Sequence, residues 1–185
     1  MQIEIVSGST RENSITFRVA LHLQKQITER TDHHAGIIDV RQNNFPLLET
    51  VYTSVDAAPD QHKEVVGRMF AADAFIMVSP EYNGSYTACI KNFFDHFPKQ
   101  HRKIFGIATA SPGSLGGIRA AMQMQQYIYA LFGIGSPYML VTPQVDKKFD
   151  EEGNLIDPTF QKTIDLFIKE FIWLAESILQ EKVST

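Results

Sequence analysis

Three short polar stretches hold the residues with the most chemistry to offer. The first, GSTRENSIT at 8–16, gathers Ser9, Arg11, Ser14 and Thr16 where a helix should begin, behind Gly8, which allows a tight turn. Free backbone N–H groups, the positive end of a helix dipole, hydroxyl donors and one guanidinium together make a site for a phosphate monoester. The same residues also fit an ordinary helix start, with Asn13 or Ser14 as N-cap and Arg11 in solvent. The stretch has neither GxxxxGK[ST] nor GxGxxG, which removes P-loop nucleotide hydrolysis and the dinucleotide-binding fingerprint. In the second stretch, SPEYNGSYTACIKNFFDH at 79–96, Pro80 ends a strand and Glu81, Tyr82, Asn83, Gly84 and Ser85 lead into a helix. Its backbone amides and carbonyls suit a planar ring bearing donors and acceptors, with Tyr82 as a flat wall beside it. Read locally, it is also a Pro/Asn/Gly turn followed by a Ser85 helix cap. In the third, ASPGSLGGIRAAMQ at 110–123, Gly113, Gly116 and Gly117 let backbone approach a ligand closely, and glycines at strand ends are equally common turn devices.

Apolar runs of strand length fall at 2–7, 36–40, 74–79, 103–109 and 136–142, and helical stretches separate them at about 14–30, 59–72, 86–97 and 117–133. The run AFIMV is unbroken, as expected of a strand covered on both faces. A fifth helix follows Pro158, where Phe160, Ile164, Phe167, Ile168, Phe171, Ala175 and Ile178 recur at three- and four-residue steps. Strict alternation of strand and helix predicts a three-layer α/β fold: a five-stranded parallel sheet with helices on both faces, joined by right-handed crossovers. All three polar stretches then open at the carboxyl edge of the sheet, where such folds bind ligands. Two irregular segments remain, 41–58 and 143–157, the second holding a charged turn or short hairpin around Gly153; either reads as a lid or as a solvated loop.

With 185 residues, 44% of them hydrophobic, the chain is expected to be one domain spanning 1–185, large enough to build a core without staples. Its 17 Lys and Arg against 21 Asp and Glu, a formal charge of −4 with no basic run, argue against a nucleic-acid partner. The single cysteine, Cys89, rules out an internal disulfide and a thiolate-rich metal site, and predicts a reducing, cytoplasmic setting. MQIEIVSGST carries Glu4 inside its apolar stretch and no basic leader, so it reads as a first strand, and no run of 18 apolar residues predicts a membrane span. The histidines lack metal-ligand spacing and read as surface or capping residues; Cys89 reads as a small buried residue, and Asp95 and His96 as a helix C-terminal face. Phe93, Phe94, Met122, Met124, Tyr127, Tyr129 and Phe132 lie around more than one face of the third and fourth helices, which predicts a homodimer.

GSTRENS, PEYNGSYTACIKNFFDH and SPGSLGGIRA, in that order over roughly residues 2–180, resemble the NADPH-dependent FMN reductase family. The resemblance implies a flavodoxin-like fold with strand order 2-1-3-4-5. It also implies FMN as cofactor, NADPH or NADH as hydride donor, and a small acceptor such as free flavin, a quinone or an azo compound, served by a ping-pong cycle. The family's first loop reads approximately GSxRxxSxN. By resemblance Ser9, Arg11 and Ser14 hold the FMN phosphate, Ile15 and Thr16 complete the cofactor-binding turn, and Thr16 stands where Asn is usual. The second loop, PEYNxSxPGxLKN, lies along the isoalloxazine and maps onto Pro80, Glu81, Tyr82, Asn83, Ser85 and Lys91-Asn92, with Thr87-Ala88 in place of Pro-Gly. Ser111, Gly113, Gly116 and Gly117 match the third loop, on the pyrimidine side of the ring. Catalysis then needs no protein acid, base or nucleophile. The resemblance also points to a homodimer, or a homotetramer made as a pair of dimers. The alternatives are a flavodoxin-like electron carrier and a regulatory flavoprotein; phosphate loops of flavodoxin type are rich in Thr and Gly and usually lack a central arginine, so Arg11 favours the reductase.

Overall fold

The computed structural model describes residues 1–183, with side chains through Gln180. Five parallel strands, β1 (Gln2–Ser7), β2 (His34–Asp39), β3 (Ala74–Pro80), β4 (Ile104–Ser111) and β5 (Ile134–Pro143), lie in the order β2-β1-β3-β4-β5. Five α-helices alternate with them: α1 (Ile15–Arg30), α2 (Lys63–Ala71), α3 (Ala88–Asp95), α4 (Ile118–Ala130) and α5 (Gln161–Val183). Every residue of β3 is buried, as its unbroken apolar run requires of a central strand. Its side chains alternate between two cores. Phe75 and Met77 meet Met69 of α2, Phe94 of α3 and Met124 of α4, whereas Ile76 and Val78 meet Leu23 of α1 and Phe167 and Phe171 of α5. The chain runs outward from β1 to β2 and then returns to the other side of β1 as β3, so strand order reverses between β1 and β3. A crevice opens there between the loops that follow these two strands.

The element boundaries move where tertiary contacts override local pattern. The second helix starts at Lys63, after a short turn at Asp60–His62, and β5 runs on to Pro143 because β4 supplies pairing partners along that length. Neither long irregular segment is a free loop. Phe45 and Tyr52 of 41–58 are buried against Phe93, His96 and Phe97, and Tyr52 N donates to His96 O at 2.7 Å. The segment 143–157 closes as a hairpin, bridged between Phe149 and Leu155, and is fastened to α1 by Arg18 Nη1 to Phe149 O at 2.9 Å and by His22 Nδ1 to Gly153 O at 2.9 Å.

These dockings bury three histidines: His22, His62 and His96 are 4%, 6% and 1% exposed. The surface reading fails for His22 inside α1, whereas His62 and His96 do occupy helix-cap positions, at the start of α2 and the end of α3. Burial lowers the pKa of both His22 and His62 from the usual value. Asp95 does lie at the C-terminal end of α3, where it accepts from Tyr127 Oη and pairs with Lys91. The aromatic surplus of the third and fourth helices is also redistributed. Phe93, Phe94, Met124 and Tyr127 are interior, while Met122, Tyr129 and Phe132 are exposed at the fourth helix and the turn after it. No helix among the described residues is long and apolar enough to cross a membrane.

Candidate functional site

The loop after β1 is built for close packing before it is built for a ligand. A Cβ on Gly8 would lie 2.3 Å from the Ile90 side chain, so a larger residue there would displace buried Ile90, and the approach of α3 rather than a positive-φ turn favours glycine. Thr87 explains the replacement of Pro-Gly: its hydroxyl donates to Gly8 O at 2.7 Å and accepts from Ile90 N, making Thr87 the N-cap of α3. The third helix therefore starts later than its sequence pattern indicates, and Ser85 is not its cap. Ser85 instead closes a two-residue turn with Tyr82, through paired backbone bonds of 2.9 and 3.1 Å. Asn83 and Gly84 both have positive φ, 51° and 82°, which is the reason for the Asn-Gly pair.

At α1, Ser14 is the N-cap and accepts from Phe17 N at 3.2 Å. The N–H groups of Ile15 and Thr16 in the same first turn have no carbonyl within the helix to receive them. Ser9 and Thr16, each 2% exposed, stand beside this turn, and the Arg11 guanidinium lies 5.0 Å from the centre of the Tyr82 ring, joining the first loop to the second. Arg41 steadies the first loop from behind: it donates to Asp39 at 2.8 Å and to Glu12 O at 2.9 Å. The hydrogen bonds to Asp39 push the Arg41 pKa above its usual value, so this tether stays charged.

Ser9, Arg11, Ser14, Ile15, Thr16, Pro80, Glu81, Tyr82 and Ser111 all line one cleft of about 450 Å³. A second hollow of about 560 Å³ also has Glu81 and Ser111 in its wall, and adds Asn83, Gly113, Gly117, Leu115 and Arg119. Ser85 and Gly116 line neither. The three glycines of the loop after β4 have different reasons to exist. Gly113 lines the second hollow, where a Cβ would meet only Ser111 Oγ, at 3.3 Å, and its N–H donates to that same hydroxyl at 3.0 Å. Gly116 and Gly117 have positive φ, and a Cβ on them would strike Pro143 N at 2.6 Å and the Thr109 Cβ at 2.9 Å, so both are demanded by packing on the sheet.

Lys91 and Asn92 do not reach the cleft. Asn92 binds the 41–58 segment through Pro46 O and Leu48 N, and Lys91 pairs with Asp95. Cys89 is half-buried and not interior, facing a hollow of about 180 Å³ with Val40, Phe45, Leu47 and Phe93. Among the described residues no group of His, Cys, Asp and Glu could hold a metal ion. Arg119 is the residue that sequence reasoning missed. Its signal is a cation in the first turn of α4 with no acidic residue there, against the preference of a helix N-terminus, which calls for an acid from elsewhere. Glu81 supplies it, with its Oε1 accepting from Arg119 Nε at 2.7 Å.

A parallel sheet in this order, with helices on both faces and a cleft at its switch point, defines a flavodoxin-like α/β protein. The model of the NADPH-dependent FMN reductase family matches residues 1–144, and the chain belongs to that family. Its class is accordingly that of the FMN-dependent NAD(P)H oxidoreductases, with FMN as cofactor and NADPH as donor. It is 28% identical over 175 residues to an FMN-dependent NADPH-azoreductase of Staphylococcus aureus (strain USA300), covering 91% of this chain and 92% of that one. Among solved structures it is similar to the flavoenzyme NAD(P)H:(acceptor) oxidoreductase FerB of Paracoccus denitrificans, with a TM-score of 0.76 and 20% identity over 95% of this chain and 97% of the other. An NADH:FMN oxidoreductase in its apo form aligns with a TM-score of 0.64 and 18% identity, covering 92% of this chain and 88% of that one. At these identities the two structures speak to the fold.

Proposed function

We propose that the protein uses FMN held in the switch-point cleft to pass reducing equivalents from NADPH to a small acceptor, with azo compounds, quinones and free flavin as the acceptor class. The convergence that carries this reading is Arg11, Ser9, Thr16 and the open first turn of α1 at one end of a cleft whose other wall is Tyr82. The donor set suits a phosphate monoester: the N–H groups of Ile15 and Thr16 and the Ser9 and Thr16 hydroxyls donate, and the Arg11 guanidinium supplies charge. Pro80, Tyr82 and the Asn83–Gly84 turn form one wall for a planar ring, and Ser111 with the side-chain-free Gly113 forms the other. Gly116 and Gly117 shape that second wall from beneath. Bound FMN supplies the two-electron chemistry, accepting hydride from nicotinamide and returning the reducing equivalents to the acceptor. The protein's part is to hold the ring and keep one face open, so donor and acceptor occupy it in turn.

The azo acceptor is favoured by the name of the staphylococcal relative. The span 1–185 is one domain in this proposal, and its Ser184 and Thr185 lie outside the described residues. A cytoplasmic location rests on the lone cysteine. Association into a homodimer, or a pair of dimers, is supported by Met122, Tyr129 and Phe132, which are 52%, 71% and 56% exposed at α4 and the turn after it. Light scattering at low micromolar concentration should give more than one chain per particle. Anaerobic mixing with NADPH should bleach the flavin, and an azo dye or quinone should restore its colour. Bleaching only by a reductase protein, and by neither nicotinamide nucleotide, would instead make the protein an electron carrier.

A further inference from the structure

Glu81 sits in the loop after β3, yet its carboxylate serves the helix after β4. The N-cap position of α4 is Gly117, which has no side chain to offer, and the first turn holds no acid, so the leading N–H groups of that helix need an acceptor from elsewhere. Glu81 Oε2 accepts from Arg119 N at 3.0 Å and from Ala120 N at 3.4 Å, while Oε1 takes the Arg119 side chain. The Glu81 side chain is 9% exposed and that of Arg119 is 65% exposed. The two loops are brought level by the sheet, since Pro80 pairs with Ala110 at the ends of β3 and β4.

We infer that Glu81 is a positioning residue: by capping α4 it clasps the loop after β3 to the loop after β4, and so sets the width of the slot between the two walls proposed for the flavin ring. The buried carboxylate-to-backbone bonds carry the clasp, because charge-assisted bonds to backbone N–H are strong, whereas the solvated Arg119 guanidinium adds little. The consequence for the ring rests on the proposed flavin site. The clasp itself does not.

The test reads both halves separately. By NMR hydrogen exchange on the whole protein, the amides of residues 119 and 120 should exchange about tenfold faster in Glu81→Ala, about two- to threefold faster in Glu81→Gln, where one neutral amide oxygen replaces the carboxylate, and like wild type in Arg119→Ala. FMN and riboflavin affinities should fall together in Glu81→Ala, by about tenfold, since the cradle at α1 is untouched, and the midpoint potential of bound flavin should shift. Glu81→Gln should recover most of both. Unchanged exchange in folded Glu81→Ala, or equal damage from Arg119→Ala, overturns the clasp. Faster exchange with unchanged flavin affinity and potential overturns the slot, as does a loss confined to FMN. If Glu81→Ala does not fold, Glu81→Gln decides: it should fold and exchange slightly faster than wild type, and failure to fold or exchange like wild type overturns the clasp. A wild-type protein that binds neither flavin defeats the proposed function, and the exchange comparison still judges the clasp.

Discussion

The switch-point cleft and the hollow beside Cys89 both open near the carboxyl edge of the sheet, and they differ in what their polar groups are doing. In the hollow two amide side chains are engaged by the protein: Asn43 Nδ2 donates to Asp39 O at 3.0 Å, and Asn92 donates to Pro46 O and accepts from Leu48 N. Phe45 fills the seam, 4.4 Å from the His62 ring and 4.9 Å from the His96 ring. In the cleft, by contrast, helix-start N–H groups, two nearly buried hydroxyls and one exposed guanidinium converge. The hollow is a docking seam for residues 41–58. The cleft is the proposed binding site, because donor groups that the fold leaves open, more than apolar enclosure, distinguish a site from a seam.

Emptying the seam should separate the two regions most sharply. Phe45→Ala should cost about 3–5 kcal/mol of stability in urea unfolding, the usual penalty for emptying a buried aromatic position, while FMN affinity stays within about twofold of wild type. A matching collapse of FMN affinity would merge the two regions into one site. Arg11→Ala should do the reverse, leaving stability nearly unchanged and weakening FMN binding about 10- to 100-fold in a fluorescence titration, as expected for loss of a charge-assisted bond to phosphate. Riboflavin binding should hardly respond, and equal affinity of the wild type for FMN and riboflavin would remove the phosphate role from this loop.

Acid should then separate the regions by a smaller margin. Burial, followed by the neighbouring His96, pushes the His62 pKa below 6.5, so folding holds this imidazole neutral. Its contribution is complete above the unfolded value and is lost as the pH falls from there through the folded pKa; His22 has the same sign, through burial first. Wild-type stability should therefore decline from pH 7 to pH 5, and His62→Gln should show a shallower decline by urea unfolding at each pH. Equal slopes would remove His62 from the account. The smallest effect belongs to Cys89→Ser, which should leave FMN affinity and turnover within about twofold. Loss of turnover with FMN retained would reopen a thiol role.

The features legible in the sequence are those whose information is local. The unbroken AFIMV run, the alternation of strands and helices and the handedness of their crossovers set the layers, and the nine residues from Gly8 to Thr16 announce the proposed phosphate cradle because its donors are chain neighbours on one turn. The Asn83–Gly84 turn is legible for the same reason: positive φ at both central positions selects that pair. Other roles depend on which strands become neighbours. Glu81 and Arg119 are 38 residues apart and meet because β3 pairs with β4. Gly116 and Gly117 are needed because β4 and β5 place Thr109 and Pro143 where a Cβ would stand. His62 and His96 lose solvent because Phe45 and Tyr52 arrive from a segment with no periodicity to announce it. Residue type and spacing determine which groups can do chemistry here, whereas side-chain burial and long-range hydrogen bonds, fixed only when the sheet closes, decide which of them remain free to do it.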